Sequence, residues 1–137
     1  MIYELKEGNK MIRNFSEAPD GEKNAFRALQ CWQVLISKSD LKSIITYDEL
    51  SKIIGVFRRG LGPILGHIMY YCQQNNLPPL TCIVVKKGKG KPSYGFTAAT
   101  PDELDSKRME VFDYAWFKII PPTIDELKDA WIIGERK

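Results

Sequence analysis

The chain has 137 residues, 44% apolar and 27% charged, which is enough for one ordinary core and too few for two domains of typical size. Net charge is only +3 and His67 is the single histidine, which excludes mechanisms needing two imidazoles and zinc sites built on histidine pairs. No stretch is long and apolar enough to span a bilayer, and the start, MIYELKEGNKMIRNF, lacks the features of a signal peptide, so a cytoplasmic protein with no membrane partner is expected.

Residues 1–18 mix charge with Gly8 and Asn9 and read as an N-terminal arm holding one short strand, Met1 to Leu5. After Pro19 and Asp20, Ala25, Phe26, Leu29, Trp32 and Ile36 recur at three- and four-residue steps, which predicts a core-facing helix ending near Lys38. Thr46-Tyr47-Asp48-Glu49 fits a capping box, with Leu50, Ile53 and Ile54 as the stripe of a short helix and Gly55 as its stop. A turn through Val56 to Arg59 leads to a second helix, Leu61 to Asn75, with Pro63 in its first turn. Two helices joined by a short turn containing glycine form a helix-turn-helix unit.

Pro78-Pro79 imposes an extended chain, and Leu80 to Val85 is a β-branched run of strand length. Gly88-Lys89-Gly90-Lys91-Pro92 predicts a turn before a returning strand, Tyr94 to Thr97, and that hairpin would be a wing. Thr100-Pro101-Asp102-Glu103 is a second capping box, opening a helix through Glu110 to about Lys118. Pro121-Pro122 breaks it, and Thr123-Ile124-Asp125-Glu126 caps a final helix with Leu127, Ala130 and Trp131. The expected fold is α+β: a winged helix-turn-helix domain over 19–99, preceded by the arm and followed by a C-terminal helical extension, 100–137, packed on it through Trp116 and Trp131.

Charge is unevenly placed. From Lys52 to Lys91 there are seven cations (Lys52, Arg58, Arg59, Lys86, Lys87, Lys89, Lys91) and no acid, whereas from Pro101 onward nine acids face six bases. The basic middle is where a polyanion could dock. Cys31, Cys72 and Cys82 are widely spaced and odd in number, so neither a disulfide framework nor a CxxC metal clip is expected, and no cofactor or metal is called for.

The order of a helix, Thr46-Tyr47-Asp48-Glu49-Leu50, Ile54-Gly55, Arg58-Arg59-Gly60-Leu61-Gly62, Leu77-Pro78-Pro79, a Val-Val strand and a glycine-rich turn resembles the C-terminal domain of methylguanine-DNA methyltransferases and the catalytically silent alkyltransferase-like proteins. The resemblance runs from Phe26 to Thr97, about half of the 137 residues. It implies that Tyr47 contacts the phosphate beside a flipped nucleotide and that Arg59 fills the gap left in the base stack. It also implies that the second helix enters the minor groove, where Gly62 and Gly66, four apart on one face, would allow close approach; packing against another helix explains the same spacing.

The acceptor motif of that family, P-C-H-R-V, is missing. Aligning the cysteines puts Ile83 and Val84 where His and Arg belong; aligning the Val-Val pair puts Thr81 at the nucleophile. Cys82 has no visible activating group and reads as an inert strand thiol.

The leading expectation is therefore non-enzymatic binding of nucleic acid, with double-stranded DNA as the partner. Tyr47, Arg58, Arg59, Gly60, Gly62 and Gly66 would make the contacts, together with the wing lysines Lys86, Lys87, Lys89 and Lys91. The second helix carries no charged residue, which argues against base-specific readout and keeps open a protein partner docked on Met69, Tyr70 and Tyr71. Alkyl transfer to Cys82 is the third alternative.

Overall fold

The computed structural model describes residues 12–92 and 96–136, so the strand expected over Met1 to Leu5 and the residues Tyr94 and Gly95 of the returning strand lie outside them. Five α-helices and one two-stranded parallel ladder make up the regular structure there, an α+β arrangement dominated by helix.

Helix α1 (Lys23–Asp40) runs two residues past Lys38 and buries Ala25, Ala28, Cys31, Trp32, Leu35 and Ile36; of the expected stripe Ala25, Trp32 and Ile36 are buried, while Phe26 and Leu29 are half-buried beside it. Strand β1 (Ile45–Thr46) leads directly into α2 (Tyr47–Ile54). Thr46 Oγ1 accepts the Glu49 amide at 3.1 Å, and the Glu49 carboxylate accepts the Thr46 amide at 3.2 Å, closing the capping box. Donation to it from the Thr46 amide and from the Thr46 hydroxyl, at 3.0 Å, holds the Glu49 carboxyl below its usual range. Gly55 ends α2 in the left-handed region (φ 74°), which a side chain rarely adopts. A 3-10 turn, Arg58–Gly60, then feeds α3 (Leu61–Gln74), which exits through Asn76 at φ 56°.

The run Leu80 to Val85 departs from the strand expected of it. Leu80–Ile83 winds into a 3-10 helix, and only β2 (Val84–Val85) is extended. Pro79 starts the winding, its carbonyl accepting the Cys82 amide at 3.0 Å, and the β-branched side chains go into the core without a ladder. Nor does β2 begin a hairpin among the described residues: it pairs in parallel with β1, Ile45 opposite Val84 and Thr46 opposite Val85. Phe96 and Thr97 are irregular.

Helix α4 (Leu104–Asp113) stops well short of Lys118. Trp116 folds back instead, its Nε1–H donating to the Val111 carbonyl at 2.8 Å and its ring meeting Trp32 edge-on at 5.5 Å. The Val111 carbonyl also takes the buried Ser39 hydroxyl of α1 at 2.8 Å, so two side chains hold the carbonyl that the next helical turn would use. Helix α5 (Ile124–Glu135) begins at the Thr123 cap, with Leu127 and Ala130 buried.

The placement of α5 decides what α3 can do. Leu61, Ile64, Ile68 and Cys72 of α3 belong to the core with α1, while Gly66, His67, Tyr70 and Gln74 form a second stripe that meets α5. Trp131 stacks parallel on His67 at 4.8 Å and lies over Gly66, Tyr70 packs on Gly134, and Gln74 Nε2 donates to the Ala130 carbonyl at 2.9 Å. A helix buried on two sides has no polar face to keep, which explains the uncharged composition of α3.

Candidate nucleic-acid interface

Parallel pairing of β1 with β2 has a direct spatial consequence: the residues that follow each strand, Tyr47 and Lys86, emerge at the same end of the ladder. Beyond β2 the chain makes a tight turn, closed by the Lys86 amide donating to the Lys91 carbonyl at 2.7 Å and the Lys89 amide to the Lys86 carbonyl at 3.1 Å. Gly88 and Gly90 take positive φ there, 76° and 63°. Lys87, Lys89 and Lys91 are exposed and Lys86 is half-buried.

Arg108 of α4 anchors this turn. Its Nε–H donates to the Cys82 carbonyl at 3.2 Å and its Nη2–H to the Gly90 carbonyl at 2.5 Å, tying the later part of the 3-10 segment to the far side of the turn. In the sequence Arg108 is one more charge in an acidic helix, and no spacing marks it.

Tyr47 lies at the first position of α2 and is buried. With Gly62, Leu65, Gly66, Met69, Thr81 and Phe96 it lines a cavity of about 30 Å³. That volume holds a water or two and is far below the ~300 Å³ at which ligand pockets begin. Thr81 is 4% exposed and its Oγ1 has no hydrogen-bond partner, so a buried, unsatisfied hydroxyl lines this cavity. It is Thr81 and not Cys82 that lines it. Met69 closes one wall and takes the Thr97 amide on its sulfur at 3.5 Å.

Arg58 and Arg59 stand exposed on the 3-10 turn ahead of α3, and Arg58 faces Asp48 at 3.6 Å. A side chain at Gly60 or Gly62 would meet nothing within 4 Å, so the start of α3 is open to an approaching surface. Gly66 is different. It is buried, and a Cβ there would fall 2.5 Å from Trp131 Cζ3, so the close approach that this glycine permits is taken by α5. The apolar surface read as a protein-docking face is partly used within the fold: Met69 is buried, while Tyr70, packed on Gly134, and Tyr71, edge-on to Trp32 at 5.7 Å, are half-buried.

All three cysteines are buried, and burial pushes each thiol up to about 12. Around Cys82 the Arg108 charge works the other way and is outweighed. No cluster of three or more His, Cys, Asp or Glu that could hold a metal is present among the described residues, and no helix there is long and apolar enough to cross a membrane.

Comparison of the chain with protein-family models, with curated proteins and with solved structures finds no match.

Proposed function

We propose that this protein binds double-stranded DNA without altering it, through a face made by the start of α2, the Arg58–Gly60 turn, the first turn of α3 and the lysine turn. In this reading α2 and α3 are a helix-turn-helix and residues 86–91 are the tip of its wing, as the resemblance to alkyltransferase-like proteins implies. What supports it is one convergence: the β1–β2 pairing brings Lys86, Lys87, Lys89 and Lys91 to the end of the ladder from which Tyr47 starts α2, beside the open glycines of α3.

The division of labour follows from charge and exposure. The lysines and Arg58 contact phosphates, supplying affinity that is indifferent to sequence. Arg59 offers a planar guanidinium to a gap in the base stack, and Tyr47 sits beside the cavity that ends at Thr81. Only the start of α3 enters a groove, because α5 covers the stripe from Gly66 onward. A binder of this kind grips the backbone and reads few base edges.

Fluorescence anisotropy with a labelled duplex, intact or carrying one O6-methylguanine, tests this reading. Arg59→Ala is expected to weaken the lesion duplex more than the intact one, and Tyr47→Phe to weaken both. Equal affinities for wild type and Arg59→Ala on both duplexes would remove Arg59 from the interface, and no binding by wild type would overturn the reading.

A further inference from the structure

On the other side of the α3 start lies a second cleft, of about 530 Å³, between the 3-10 turn Phe15–Glu17, the first turn of α1 and the loop Gly55 to Gly60. Gly60 and Ile64 border it, four residues apart on one face of the helical path, whereas Gly62, Leu65, Gly66 and Met69 border the Tyr47 cavity about half a turn away. The two sites therefore flank the same helix terminus.

The lining of this cleft is cationic and aromatic. Lys23, Arg27 and Arg59 contribute charge, Phe15 and Phe57 contribute rings, and none of the lining residues is acidic. Carboxylates nearby in sequence are turned to other partners: Glu17 accepts the Asn14 amide at 2.6 Å, and Glu22 lies 3.7 Å from Lys128. Arg27 is fixed, its guanidinium 3.6 Å over the Phe15 ring and its Nη1–H donating to the Ile54 carbonyl at 2.6 Å. Lys23 and Arg59 form no ion pair among the described residues.

Phe57 is the anomaly. It precedes the two arginines on an extended backbone (φ −69°, ψ 142°) and is 83% exposed, leaving a whole aromatic ring in water at the rim of a cationic cleft. An apolar partner would have no use for the cations, and an acidic one no use for the ring. A nucleotide needs both, since its base offers a π-face and its phosphate a charge. In a duplex those faces are already stacked, so the fit is to an unpaired nucleotide.

We propose that this cleft binds an unpaired nucleotide, its base stacked on Phe57 and its phosphate held by Lys23. The inference rests on the nucleic-acid reading above and adds a single-strand contact to it, so that the protein engages the junction between paired and unpaired DNA.

Three probes test it: a labelled duplex with a short single-stranded overhang, the blunt duplex of the same sequence, and AMP alone. Phe57→Ala, at an exposed position, is expected to leave thermal unfolding unchanged, to weaken the overhang duplex by roughly tenfold and to leave the blunt duplex nearly untouched. Phe57→Trp should restore affinity, and its fluorescence should be quenched on binding. Quenching by AMP alone would identify a free nucleotide as a sufficient ligand, and quenching only by the overhang would identify the strand; both support a nucleotide site. A 5-iodouracil in the overhang should crosslink to the peptide containing Phe57. Equal binding of the overhang duplex by Phe57→Ala and wild type would overturn this inference and leave the broader reading standing, whereas wild type that binds no oligonucleotide overturns both.

Discussion

Replacing Gly66 by alanine should have opposite effects depending on whether Trp131 is present. In the intact chain the new Cβ would lie 2.5 Å from Trp131 Cζ3 and 3.1 Å from Cε3, so the ring must retreat by about 1 Å to reach ordinary carbon contact. It has little freedom to do so, because it is stacked on His67 and braced by Tyr70, which packs on Gly134 and donates its hydroxyl proton to Glu135 at 2.6 Å. Overpacking of this kind costs about 1–3 kcal/mol, against about 1 kcal/mol gained by placing alanine for glycine in a helix. Gly66→Ala should therefore destabilise by about 1 kcal/mol. In a Trp131→Ala background the clash is absent and only the helix gain remains, so the same change should stabilise by about 1 kcal/mol, a coupling of about 2 kcal/mol. Urea unfolding of the four proteins measures it. The same effect in both backgrounds would refute the docking of α5 on α3 through Gly66 and Trp131.

Other outcomes follow from the same geometry. Arg108→Ala should speed amide exchange across residues 86–91 and weaken duplex binding; Arg108→Lys should restore only part of it, since one ammonium cannot replace the planar guanidinium that donates to both carbonyls. Burial lowers the His67 pKa from the ordinary 6.5, with the Pro63 carbonyl working the other way, so the unfolded chain takes up this proton first as pH falls. The stability it contributes is thus complete above about pH 6.5 and is lost as pH falls toward the folded-state value; unfolding at pH 7.5 and 5.5 should show that loss in wild type and not in His67→Gln. With thiols held at about 12, Cys31, Cys72 and Cys82 should ignore DTNB in the folded protein and all react in guanidinium chloride, and mass spectrometry after incubation with methylated-guanine DNA should show no adduct on Cys82.

Local signals in the sequence carried the helices well. The caps at Thr46 and Thr123 and the stop at Gly55 are each written in a few neighbouring residues and appear as read, while the α1 stripe holds at Ala25, Trp32 and Ile36 and is rotated away from Phe26 and Leu29. Failures came where distant residues decide. Leu80–Ile83 has strand composition, yet it is wound into a 3-10 turn by Pro79 and buried in the core, with Arg108 holding the Cys82 carbonyl. Helix α4 ends early because Trp116 is drawn back to Trp32. At the proposed site, Tyr47 and the lysines stand out in the sequence by motif and charge, whereas Thr81 matches the acceptor position in only one of two registers. That α5 covers Gly66 could not be read from spacing, which fits a groove and a helix partner alike. A single aromatic in a turn carries no periodicity, so only the position of Phe57 beside Arg58 and Arg59 sets it apart in the sequence.

The most direct test of the central claim is the salt dependence of duplex binding, comparing wild type with the variant in which Lys86, Lys87, Lys89 and Lys91 are all alanine. Log affinity should fall linearly with log salt for wild type, and the quadruple variant should bind more weakly, with a slope shallower by about 3–4 if each lysine meets one phosphate. An unchanged slope and affinity in the variant would contradict the account.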